Sequence, residues 1–289
     1  MPDNQGPNSK PQPDSPIPEQ PISELPSHEP SPAGGFGLPV RLAHPERWGV
    51  ALALCAAILF NLIALYPEVS VDAPPFNDHV LHLLNIRHVA QAFAEGRDPT
   101  DPWVSQVTLG FPLFRHYQHL PYLLPGLLVA LTRGALSAEA ALRWSSYLLL
   151  SHFPLSLYWA GRRWGLARLP ALFAALLGSL VATHGLYGFE ANSYVWGGYG
   201  LYTQLWGMWL LPLALAQGYA LLRSGRGYVG AVALTAATLL SHLVYGYILL
   251  ASLALLAVLG PWRAASVGEA WLGRRAARLF GLLGLVGLA

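Results

Sequence analysis

Residues 48–65 read WGVALALCAAILFNLIAL, and Asn61 is the only strongly polar side chain among them. A helix needs about 20 apolar residues to cross the hydrocarbon core of a bilayer, and this run with its flanks supplies them. Arg41 and Arg47 stand just before it, and no apolar run precedes it. A cleaved signal peptide would put its apolar segment close to a basic N-terminus. The run therefore reads as an uncleaved anchor.

The rest of the chain agrees with a lipid environment. Its 289 residues are 54% hydrophobic and only 11% charged, whereas soluble domains carry about 25% charged residues. The formal net charge of +2 comes with no basic run, which argues against nucleic acid as a partner. Cys55, inside the anchor, is the only cysteine, so no internal disulfide forms. Residues 1–40 differ in kind: they hold eleven of the 24 prolines and few large apolar side chains. Such a segment buries too little surface to offset its ordering entropy. It is expected to be a disordered Pro-rich cytoplasmic tail, and its composition fits a docking segment for a protein partner with an aromatic groove.

Beyond the anchor, Trp144–Ala160, Leu169–Gly185 and Leu201–Leu222 are predicted spans. Residues 228–260 are apolar throughout, long for one span and short for two, and a hairpin broken around Ser241, His242 and Gly246 is expected. The run Leu279–Ala289 is too short to cross, which gives the chain the look of a truncated polypeptide. The expected fold for residues 41–289 is therefore all-α, a polytopic transmembrane helical bundle. Arg41 and Arg47 put the N-terminus in the cytoplasm by the positive-inside rule. The clusters Arg162/Arg163/Arg168, Arg223/Arg226 and Arg263/Arg274/Arg275/Arg278 join them there only if Pro121–Thr132 does not cross. That segment contains Pro125 and Gly126 and reads as a re-entrant or interfacial helix. A multi-pass protein of the cell inner (plasma) membrane results, with a large external loop at 67–143 and a second at 186–200. Within the first, a helix is expected from about Asn77 to Glu95, then a turn at Gly96–Pro102 and an aromatic stretch.

The densest polar cluster is Asn77-Asp78-His79-Val80-Leu81-His82. On a helix Asp78 and His82 are i,i+4 neighbours and His79 and His82 are i,i+3 neighbours, so the three are expected to share one side. A carboxylate beside imidazoles serves as a general base, or Asp and His share a divalent metal; the same residues also fit a solvated first turn with Asp78 facing the helix dipole. His116 and His119 flank Tyr117, and together with His79 they are the candidate metal ligands, beside the alternative of an interfacial aromatic belt. Arg87 and Arg115 are candidates for holding a phosphate, or for snorkelling at the interface. His184, Glu190 and His242 are expected at the external ends of their spans, where ionisable groups imply function. His152 is placed mid-span, as a helix–helix hydrogen-bonding residue.

Asp78…His82 opening a helix, then Glu95-Gly96-Arg97-Asp98-Pro99, Trp103, Gly110-Phe111-Pro112 and Tyr117…Leu120-Pro121-Tyr122, resembles the start of bacterial GT-C-type glycosyltransferases. It is most similar to the subgroup labelled 6-pyruvoyl-tetrahydropterin-synthase-related membrane proteins. Tyr194…Gly197…Gly200, Leu210-Leu211-Pro212 and Ser241-His242 also look like that subgroup, so the resemblance runs over residues 48–260. It implies transfer of a sugar from a polyprenyl-phosphate carrier to an acceptor on the external face, with Asp78 as base and His82 beside it. Arg87, Trp103, Arg115, Tyr117, Glu190 and His242 are then the candidate substrate-binding residues. The chain departs from the superfamily in one respect: two closely spaced acidic residues are usual in this loop, and here Asp72 and Asp78 stand apart, which leaves a divalent-metal cofactor open. A transporter or flippase-like carrier and a non-catalytic envelope-assembly protein are the alternative functions. Carriers, however, place ionisable groups near the bilayer midplane rather than at one external face.

Overall fold

The computed structural model describes residues 45–70, 78–105, 109–115, 117–178, 202–259 and 270–288. The Pro-rich tail and the expected loop at 186–200, with His184 and Glu190, lie outside the described residues, as do Asp72 and His116.

The anchor forms α1 (Pro45–Ala64), followed by the single turn α2 (Pro67–Ser70). Helix α3 (Asp78–Ala94) leads to a ribbon of β1 (Trp103–Val104) and β2 (Phe111–Pro112), a 3-10 turn (Leu113–Arg115) and α4 (Leu120–Leu131). Then come α5 (Ala138–Ser151), α6 (Phe153–Trp164), α7 (Arg168–Gly178), α8 (Tyr202–Ser224), α9 (Tyr228–Ser241), α10 (Leu243–Leu259) and α11 (Ala270–Leu288). The segments Glu46–Ser70 and Tyr202–Ser224 are long and apolar enough to cross a membrane. Large apolar side chains also face outward: Leu52 is 73% exposed, Val229 85% and Phe280 70%. Water tolerates such surface poorly.

Hydrogen bonds and ion pairs fix which helix ends lie together. Glu46 at the start of α1 meets Arg168 at the start of α7 at 3.7 Å. Arg163, in the last turn of α6, donates from Nε to Gln217 Oε1 on α8 at 2.9 Å, and Gln217 Nε2 donates to the Gly227 carbonyl before α9 at 3.1 Å. Arg278 of α11 donates to the carbonyls of Leu222 (2.7 Å) and Arg223 (3.0 Å), satisfying acceptors that the end of α8 would leave open. Arg275 donates to Leu256 near the end of α10. The arginine clusters of α6–α7, α8–α9 and α11 thus gather at one end of the bundle. At the other end, Tyr147 of α5 donates to the Leu62 carbonyl (2.8 Å), Asn61 donates to the Ser151 carbonyl (3.3 Å), and α3, α4 and the ribbon pack over the start of α8.

One expectation needs correction. Trp144–Ala160 is not one helix: α5 ends and α6 begins on either side of His152. Pro154 lacks the N–H that would bond to Leu150, and its ring clashes with that carbonyl, so the helix breaks just upstream. Within the aromatic stretch, Trp103 pairs with Pro112 and Val104 with Phe111 in an antiparallel ribbon. The short apolar run at the end of the chain belongs to a 19-residue helix, α11, because the polar turn Gly273-Arg274-Arg275 keeps helical phase with it and Arg275 finds a carbonyl partner.

The break expected near Ser241–Gly246 is found at His242, whose backbone is extended with φ −158° and ψ 113°. There α10 turns back on α9 so closely that a Cβ on Gly246 would come 3.2 Å from Leu239 Cα. Helix α4 has 12 residues, about 18 Å of rise, too little to cross a bilayer core. Its Gly126 lies against α3: a Cβ there would come 2.8 Å from Val89 Cβ and 3.2 Å from the Ala90 nitrogen. Leu83, Ile86 and Val89 of α3 share one buried cluster with Val104, Leu113, Phe114, Tyr122, Leu142 and Tyr202. That cluster seats the α3–α4 layer on the bundle.

Candidate functional site

Asp78 opens α3 and is exposed, His79 is half-buried, and His82 is buried. The three therefore do not line one open side. Apolar Leu83, Ile86 and Val89 set the inward face of α3, and the turn from 78 to 82 is enough to carry His82 under it. There His82 Nδ1 is 2.7 Å from Tyr122 Oη, and its ring stands 5.9 Å from that of Tyr122 and 5.5 Å from that of Tyr202. Tyr202 Oη in turn donates to the Pro121 carbonyl (3.0 Å) and shares a 2.8 Å hydrogen bond with Ser145 Oγ. His82 is thus a positioning residue, tying α3 to α4 and α8.

His79 instead comes within reach of the Arg143 charge, beside a polar corner whose walls were not foreseen. Ser137 caps α5, its hydroxyl accepting from the Ala140 amide at 3.0 Å. Glu139 and Arg143, one turn apart on α5, pair at 3.3 Å, and Arg143 Nη1 donates to the Glu68 carbonyl of α2 at 3.2 Å. Ser137, Glu139 and Arg143, with Val69, Ser70 and Trp144, line a cavity of about 230 Å³. Burial, and then the Arg143 guanidinium, hold the His79 imidazole below its ordinary pKa, against the smaller opposing pull of Asp78. His79 is therefore neutral at pH 7, with a ring nitrogen able to accept a proton.

Trp144 is also a wall of a second cavity, about 530 Å³, between α4, α5 and α8. Leu124, Pro125 and Leu128 of α4, Leu148 of α5, His152 at the α5–α6 break, and Trp206 and Trp209 of α8 line it. It is almost wholly apolar, and Leu124, Leu128 and Leu148 at its walls are themselves exposed. One helix, α5, thus carries the Glu139/Arg143 pair at its start and an apolar groove further along, with Trp144 between.

The remaining expected residues are dispersed. Arg87 is exposed on the outer side of α3. Arg115 is engaged by Asp101, donating from Nη2 at 2.8 Å and from Nε at 3.2 Å; this bond holds the Asp101 carboxyl below its usual range and raises the guanidinium. Trp103 projects from β1 and is 58% exposed. Tyr117 is half-buried against the aromatic cluster, its ring 6.3 Å from that of Tyr122. His119 precedes α4 beside Phe114, ring to ring 6.0 Å, and burial lowers its pKa against the Asp98 carboxylate. His242 sits in the α9–α10 joint, its ring 5.0 Å from that of Tyr245 and its Nδ1 accepting from the Tyr245 amide at 3.3 Å. For the metal ligands, no group of three or more His, Cys, Asp or Glu side chains is gathered among the described residues. His79 shares its corner with Arg143, whose charge repels a cation, while His119 neighbours Asp98 instead.

Comparison with protein-family models, with curated proteins and with solved structures found no match.

Proposed function

We propose that this chain is a multi-pass membrane glycosyltransferase that takes a sugar from a polyprenyl-phosphate carrier and acts on the face away from the arginine-rich end. The observation that carries the reading is Trp144, which separates a polar corner holding Arg143 from an apolar groove on the same helix. A phosphate joined to a long hydrocarbon has those two parts in that order. Placing the arginine end in the cytosol puts both Asp78 and the polar corner on the external side. The Pro-rich tail is then cytosolic, available to a protein partner.

In the reaction the acceptor hydroxyl attacks the anomeric carbon. Its proton passes to the Asp78 carboxylate, the new C–O bond forms, and the C–O bond to phosphate breaks with its electron pair leaving on the phosphate. Arg143 meets that developing charge, and its guanidinium already acts on His79, the neighbour of Asp78 in the chain. The test is transfer from a radiolabelled polyprenyl-phosphate hexose in proteoliposomes holding the full chain. Asp78→Asn is expected to abolish transfer with insertion intact, and a cysteine at 78 to react with an impermeant thiol reagent from outside. Undiminished transfer in Asp78→Asn removes the base; labelling only from the arginine side removes the whole reading.

A carrier for the same lipid is the second reading. The observation in its favour is the helix interruption at His152 on the groove wall, since carriers bind cargo at broken helices. Lipid counterflow without glycosylated product separates it from the transferase.

A further inference from the structure

The ribbon between α3 and α4 is built around one side chain. Val104, next to Trp103 on β1, is buried in the cluster beneath the ribbon together with Leu113. Alternation along a strand then turns Trp103 outward, and it is 58% exposed. Across the ribbon, Gly110 holds φ +106°, a conformation that L side chains rarely adopt, and a Cβ there would collide with the indole. The indole is therefore laid against bare backbone on one side, which fixes its attitude, while the rest of its surface is open.

Its surroundings are polar. Asp101 stands two residues before it, and Arg115, in the 3-10 turn that follows β2, closes on Asp101 by a two-point pair. Both are well exposed, at 41% and 68% of their side chains. The loop leading to β1 adds a second exposed pair, Arg97 with Glu95. Such a charged rim opposes immersion of the ribbon in hydrocarbon, because its ions would lose their water. It does suit a ligand that is polar at its edges and has a C–H-rich face, which is the description of a pyranose ring. The guanidinium retains N–H donors beyond the two that Asp101 takes, and the carboxylate retains lone pairs.

We infer that Trp103 is a stacking platform for a pyranose of a water-soluble glycan, with the Asp101–Arg115 pair hydrogen-bonding its hydroxyls. As the acceptor side of the proposed reaction it rests on that reading, and it names the acceptor class: a carbohydrate chain rather than a protein or a lipid. Binding is measured without any donor, so the two stand or fall separately.

The experiment is saturation-transfer NMR on the full chain in micelles of a sugar-free detergent, with maltotetraose, cellotetraose, mannotetraose and chitotetraose as probes. At least one tetrasaccharide is expected to bind. Trp103→Ala should weaken it by about tenfold or more, and Trp103→Tyr, which keeps an aromatic face, should stay within about threefold. Gly110→Val, which evicts the indole from its seat, should behave like Trp103→Ala. Binding of none of the four, or equal binding by the wild type and Trp103→Ala, overturns the inference whatever the transfer assay gives. Glycan binding that depends on Trp103 in a protein without transfer activity upholds the platform and removes only the reaction.

Discussion

Replacing Gly126 by alanine tests how the layer that carries Asp78 is seated. Two terms oppose each other. Alanine is about 1 kcal/mol better than glycine in a helix interior. The added methyl, however, would lie 2.8 Å from Val89 Cβ and 3.2 Å from the Ala90 nitrogen, where carbon atoms prefer separations of about 3.5–4.0 Å. Val89 is fully buried and β-branched, so it has no spare rotamer to retreat into. Overpacking of this kind costs about 1–3 kcal/mol, and the sum is a loss of roughly 0–2 kcal/mol. The decisive measurement is the same substitution in a Val89→Ala background. Val89→Ala alone leaves a void costing about 1–3 kcal/mol; it takes away the Val89 Cγ1 that the new methyl would meet first, while Cβ and the Ala90 nitrogen stay in place, and the void gives the methyl room to shift. Gly126→Ala should cost less there than in the wild type, a coupling of about 1 kcal/mol between the two sites. Amide hydrogen exchange of α3 and α4 in micelles reads the opening free energy of the layer. An equal cost in both backgrounds would mean that the close approach of α3 and α4 does not govern this contact.

Tyr122→Phe removes the 2.7 Å partner of His82 Nδ1 in a buried setting. It should raise α3 amide exchange by the equivalent of about 1–3 kcal/mol, and unchanged protection would deny His82 its positioning role. Acidification should loosen the same layer. His79, His88 and His119 are all held below the ordinary imidazole range, chiefly by burial, so the unfolded layer binds more protons than the folded one. Their contribution is complete above about pH 6.5 and is lost as the pH falls through that value toward the folded ones. Exchange between pH 7.5 and 5 measures it, and His79→Gln should flatten part of the dependence; a layer whose protection is the same at both ends excludes this linkage.

Much of the helical framework was legible because lipid-sized apolar runs and proline breaks are local signals. The anchor, the helix opening at Asp78, the short α4 and the break at His242 all follow from length, Pro and Gly positions, and the spacing of apolar residues. The two-residue ribbon did not show, since two strands that short have no period to read. The split at His152 was visible in Pro154 but was outweighed by the apolar length around it. At the site, helical spacing places Asp78, His79 and His82 as neighbours without saying which way the core lies. Only the packing of Leu83, Ile86 and Val89 decides that His82 goes under. Arg143 was missed although Ser137, Glu139 and Arg143 form a cap followed by an i,i+4 pair, because the pair belongs to a helix far along the chain from Asp78.

On the proposed reading, the position of Arg143 also bears on which donor the corner can serve. A soluble nucleotide-sugar donor carries two phosphates and would be expected to meet several cations with no greasy surface beside them. Here Arg143 already answers Glu139 and the Glu68 carbonyl, and the remaining arginine clusters stand at the opposite end of the bundle. Beyond Trp144 the surface is Leu, Pro and Trp over about 530 Å³, which gains nothing from a nucleotide but shelters hydrocarbon at about 25 cal/mol per Å² of apolar surface removed from water. A single-phosphate donor with a long apolar tail needs one cation at the head and a dry groove behind it, and α5 presents those two features in that order.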